Sequence, residues 1–132
     1  MNILDNYSPT AWLVRPFISA EKGHPITEFT RFELHRATCP DPVYKEIDAY
    51  QYGYELELTV VSCADLREEA EQNMLFEVAF TDGTARVLQF GDWHGMRISS
   101  ILPPTAPKGP YVYTFTTVRP NDEAYTFRTF QN

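Results

Sequence analysis

Little in this chain is basic, little of it is sulfur, and no apolar run is long. Lys and Arg number 11 against 18 Asp and Glu in 132 residues, for a formal net charge of −7. Nucleic-acid backbones are held by clustered Lys and Arg, so this balance argues against that ligand. It argues equally against anionic membrane surfaces. There are two cysteines, Cys39 and Cys63, and no C-x-x-C spacing that would mark a metal site. They could close one disulfide, but such sparse usage fits ordinary thiols of a reducing compartment better. No stretch approaches the roughly 18 apolar residues of a spanning helix. The opening MNILDNYSPTAW lacks the basic region and apolar core of a signal peptide. The expected location is therefore the cytoplasm or a virion, reached without a signal peptide.

Catalytic signatures are also missing. There is no Walker A loop, no Rossmann glycine fingerprint, no H-E-x-x-H and no G-x-S-x-G. No catalytic residue, metal ligand set or cofactor is expected, and the chain reads as a non-enzyme.

What is present is aromatic and β-branched. Hydrophobic residues make up 43% and aromatics 14%, with 9 Phe and 8 Tyr, which favours strands in a packed domain. The most regular stretch is 52–61. Tyr52, Tyr54, Leu56, Leu58 and Val60 alternate with Gly53, Glu55, Glu57, Thr59 and Val61, the period of a strand. The spacing predicts one short helix over 62–73, with Ser62 as N-cap and Asp65 reaching back to it. Two apolar runs in 74–90 flank Asp82-Gly83, a signal for a tight hairpin turn.

Further strands are expected at 10–20, 26–37, 96–102, 111–118 and 124–130. Pro16 lies inside the first, which predicts an edge or bulged strand. Residues 43–50 read as an extended lead into the main strand. Residues 103–110, with four prolines, read as a rigid linker. The expected fold is mainly β: an antiparallel β-sandwich or barrel of about eight strands with one short α-helix. Residues 1–132 form one domain, with 1–9 as an extended N-terminal arm. The predicted core is Tyr54, Leu56, Leu58, Val60, Phe76, Val78, Phe80, Val87 and Phe115.

Three constellations have a bland reading beside a functional one. His35, Cys39 and Asp41 are close in sequence, but Cys39 precedes a proline and no activating element accompanies it. Glu55 and Glu57 could suggest paired carboxylates, yet a half-buried strand needs a polar face and alternating Glu supplies one. Trp93, between Gly91 and Gly95, could stack on a ligand or fold back as a lid on the core.

The remaining signals point to protein partners. Ile3, Leu4, Tyr7 and Trp12 put apolar side chains where little local structure buries them. Asp65, Glu68, Glu69 and Glu71 form an acidic run suited to a basic partner. The candidate partner-binding residues are thus Ile3, Leu4, Tyr7, Trp12, Asp65, Glu68, Glu69 and Trp93. The expectation is a protein–protein interaction protein, self-assembling or bound to another protein. The leading form is a structural subunit of a larger assembly, such as a capsid-decoration or tail component of a phage virion. The alternative is a small acidic cytoplasmic inhibitor or immunity-type protein that neutralises a basic target.

Overall fold

The computed structural model describes residues 4, 9–16, 29–49, 51–82, 86–90, 95–120 and 127–131. The strands are β1 (Ala11–Pro16), β2 (Thr30–Glu33), β3 (Arg36–Thr38), β4 (Val43–Asp48), β5 (Gln51–Ser62), β6 (Leu75–Thr81), β7 (Arg86–Phe90), β8 (Met96–Leu102), β9 (Tyr111–Pro120) and β10 (Phe127–Gln131). One helix, α1 (Arg67–Glu71), lies between β5 and β6. Every strand pairing is antiparallel. The mainly β fold with one short helix is the expected one. Among the described residues ten strands replace about eight, because Val43–Asp48 is a strand and the single strand expected over 26–37 is replaced by β2 and β3.

β5 and β9 form the longest ladder, from Gly53 opposite Pro120 to Ser62 opposite Tyr111. Their alternation sets one inner face: Leu56, Leu58 and Val60 from β5, Tyr113 and Phe115 from β9, all buried. β6 adds Phe76, Val78 and Phe80 to the same cluster. One edge of β6 carries β1; the other carries β8 at its start and β7 at its end. β5 likewise carries β9 on one edge, and β4 then β3 on the other.

The stretch from Thr30 to Thr38 turns the corner. Its first half, β2, pairs with β1, and its second half, β3, pairs with β5. Leu34 N–H donates to Thr10 O at 3.2 Å and His35 N–H to Val61 O at 2.9 Å, so neighbouring residues serve different strands. A strand that switches partners in this way makes the corner of a sandwich-like fold. The sheet is not closed into a barrel.

β1 departs from expectation. It is flanked by β2 and β6 over Ala11–Val14, so it is interior there and not an edge. Pro16 falls beyond the last β2 pairing, Val14 with Thr30, and so interrupts only the end of the ladder. Ala11 to Arg15 are all buried, on both faces of the strand.

The helix is shorter than expected. Ser62 belongs to the end of β5, and the residue before α1 is Leu66, which makes no side-chain cap. Asp65 sets the start instead, its Oδ1 accepting from Arg67 N–H at 3.2 Å. Asn73, at φ 58, ends the turn in the left-handed conformation that Asn tolerates. No residue of α1 itself is buried.

β6 and β7 pair as expected, but not in the register that a two-residue Asp82-Gly83 turn would set. Thr81 pairs with Val87, and residues 83–85 between the two strands lie outside the described residues. This register sets Phe80 opposite Leu88, whereas a two-residue turn would set it opposite Ala85. Apolar pairing outweighs the local turn signal. Of the predicted core, Tyr54 is half-buried and the side chain of Val87 lies outside the described residues; the others are buried. No helix among the described residues is long and apolar enough to cross a membrane.

Candidate functional site

Among the described residues, three of the six exposed large apolar side chains, Val43, Tyr44 and Tyr52, lie on the hairpin of β4 and β5. β4 pairs with β5 from Val43 opposite Glu55 to Glu46 opposite Tyr52, then slips register before Asp48. On its other edge β4 meets no strand among the described residues. Val43 is 59% exposed and Tyr44 51%. The Tyr44 ring stacks on Tyr52 at 5.6 Å between centroids, with 19° between planes, and meets Tyr54 at 5.2 Å.

The cause is visible along β5. Leu56 is buried, Tyr54 half-buried and Tyr52 exposed, although all three share one face. The sheet therefore runs past its own core, and aromatic side chains clothe the overhang. On the opposite face Lys45 Nζ lies 3.3 Å from Glu55 Oε2, an exposed pair worth little. Glu57, also on that face, is exposed, in keeping with a solvated surface.

The acidic run sits on a well-anchored connection. Trp12 is fully buried, and its Nε1–H donates to Ser62 Oγ at 2.9 Å. Ser62 Oγ accepts from Ala64 N–H at 3.2 Å and donates to Glu33 O at 2.8 Å. The Tyr113 hydroxyl donates to Ala64 O and accepts from Leu66 N–H at 2.8 Å. Burial pushes the Tyr113 hydroxyl up to about 12. These bonds pin residues 62–66 onto the end of the core.

From there Asp65 receives a two-pronged contact from Arg67: Nε to Oδ1 at 2.9 Å and a terminal nitrogen to Oδ2 at 2.8 Å. The guanidinium holds the Asp65 carboxyl down at about 2 and lies 5.2 Å from the Tyr111 ring. Beneath this segment runs a groove of about 350 Å³. Val14, Phe32, Leu66 and Phe76 line it, together with Asp65 and Glu69.

The thiols are both free. Cys39 is buried, and burial with the nearby Asp41 carboxylate pushes its thiol up to about 12. His35 does not join it. Instead His35 Nε2 lies 3.5 Å from the exposed Cys63 Sγ. Among the described residues no three His, Cys, Asp or Glu side chains are grouped to hold a metal.

The predicted partner-binding residues are thus dispersed. Trp12 and Leu4 are buried in the protein's own core and present no surface to a partner. Asp65 and Glu68 are exposed and Glu69 half-buried, close together as expected. Ile3, Tyr7 and Trp93 lie outside the described residues. Sequence reading missed the β4 edge. Its signal was Val43-Tyr44 beside Tyr52 and Tyr54, apolar side chains beyond the end of the core pattern.

No known protein family matches this chain, and no characterised protein or solved structure shows significant similarity to it.

Proposed function

We propose that this chain is a non-enzymatic interaction protein that works as a structural subunit of a larger assembly, such as a decoration or tail component of a phage virion. The observation that supports the reading is the β4 edge: a strand that among the described residues is paired on one side only, with Tyr44 exposed beside Tyr52 and Val43 exposed on the opposite face. Unpaired strand edges recruit a further strand, with backbone bonds giving affinity and alternate side chains giving specificity. Natural proteins guard free edges with charge or proline. Here Lys45 and Glu46 supply some charge, but the stacked tyrosines leave an adhesive surface next to them.

The test is mass in solution with an edge-blocking variant. Native mass spectrometry of the full chain is expected to show a multimer, or a complex with its particle. A double Val43→Lys, Tyr44→Lys variant is expected to lose that species while keeping its β-type circular dichroism. A double variant that assembles like the parent refutes the edge as the contact; a parent that stays monomeric and joins no particle refutes the subunit reading.

A second reading, an acidic inhibitor of a basic protein, is favoured by one feature. The run from Asp65 to Glu71 carries four carboxylates against one Arg on a pinned, exposed segment.

A further inference from the structure

We infer that the groove between β1, β2 and the start of α1 is a pocket for one long basic side chain, lysine or arginine, presented by a partner protein. This site is separate from the β4 edge. Its floor is apolar: Val14, Phe32, Leu66 and Phe76. At about 350 Å³ it stands at the small end of ligand pockets, which suits a single side chain better than a whole cofactor. Lysine and arginine carry an aliphatic stem under a charged head and lay the stem along apolar surface.

Among the described residues lining the groove, one carboxylate oxygen is left without a donor. Asp65 is engaged by Arg67 on both oxygens. Arg15, which also borders the groove, is held at 3.1 Å by Glu77. Glu69 differs, for its Oε2 is buried and has no hydrogen-bond partner among the described residues. A buried carboxylate oxygen without a donor is costly, and an incoming ammonium or guanidinium would relieve that cost. Glu68 and Glu71 lie alongside, so the local field favours a cation as well. The occupant is therefore positively charged at one end and apolar along its length. Because free butylammonium carries the same chemistry as a lysine side chain, it serves as a small probe.

The experiment compares two neutralising variants of equal charge. A fluorescein-labelled oligolysine peptide is titrated into the parent, Glu69→Gln and Glu71→Gln proteins at moderate salt, and anisotropy is read. Loss of the buried acceptor is expected to weaken binding about tenfold or more, while Glu71→Gln, on the outer surface, changes it about twofold at most. Titration of butylammonium followed by amide NMR is expected to shift Phe32, Leu66, Glu69 and Phe76 in the parent. Butanol, lacking the charge, is expected to shift them far less. Equal losses in the two variants would mean diffuse attraction to an acidic surface, and would overturn the pocket. So would butylammonium shifts scattered over the acidic surface with the groove amides unmoved. Unchanged urea midpoints show that either result concerns binding and not folding.

Discussion

Arg15 on β1 lies directly opposite Glu77 on β6, with Nε and Oε2 3.1 Å apart and both side chains nearly out of contact with solvent. An ion pair so placed has surrendered most of its hydration, and each charge is offset in part by the other. The guanidinium also lies 5.8 Å from the Phe29 ring. This pair explains why the second face of β1 is buried although an arginine stands on it.

Removing one member takes the opposite charge away from the other in a nearly dry site. Glu77→Ala is expected to cost about 3–5 kcal/mol, read from urea unfolding. Replacing both with apolar residues, as Arg15→Met with Glu77→Leu, is expected to cost less than the two single losses summed, since the two side chains are in contact. Additive losses would show that the pair is not coupled.

Ser62 carries three hydrogen bonds on one hydroxyl, which is its full capacity. Ser62→Ala is expected to cost about 1–3 kcal/mol because the Trp12 indole N–H loses its partner in a dry site. The urea midpoint should fall with an unchanged slope. A midpoint matching the parent would mean that water replaces the hydroxyl.

Alkaline stability follows from two raised groups. Cys39 and Tyr113 ordinarily lose their protons near 9.0 and 10.0, and in the fold each holds on to about 12. The unfolded chain therefore releases protons first, so stability falls with rising pH between roughly 9 and 12. It is fully present below 9. Cys39→Ala is expected to flatten the first part of that fall, measured as melting temperature against pH. On the acid side Asp65 acts in the other direction: its contribution is present above 3.8 and is lost as pH falls towards 2. That contribution is small, because the pair is exposed and well screened.

Thiol chemistry separates the two cysteines. An aromatic disulfide reagent at pH 8 is expected to titrate one thiol in the native protein, the exposed Cys63, and two in denaturant. Two fast thiols in the native protein would mean that the 39–42 loop opens readily.

Much of the architecture was legible because period-two patterns are strong. Tyr52–Val61 and Tyr111–Val118 declare their faces, and Leu56, Leu58, Tyr113 and Phe115 fall where that pattern puts them. β1 was less legible: Pro16 signalled an edge, but Ala-Trp-Leu-Val has apolar side chains on both faces and the strand is interior. Ser62 looked like a helix cap because serine accepts from backbone N–H. Whether it meets a helix or the indole of Trp12 depends on tertiary contacts that sequence does not encode locally. The candidate surface was only half legible. The acidic run is contiguous in sequence and remains together in space. The tyrosine overhang depends on where the core stops, which no single strand reveals.

The pairing of β1 with β6 also bears on the order in which the chain is made. Val14 lies opposite Val78, and Trp12 packs against Tyr113 and Phe115, so although β2 follows β1 closely, the partners of β1 in β6 and β9 emerge from the ribosome long after it. Contacts so distant along the chain form slowly, because the intervening loop must close first. During that interval Ala11–Val14 has β2 on one edge at most, and its other edge is a β-prone surface of the kind that aggregates. The strand buried in the finished core is thus, during synthesis, an apolar segment left open along one edge until β6 is made.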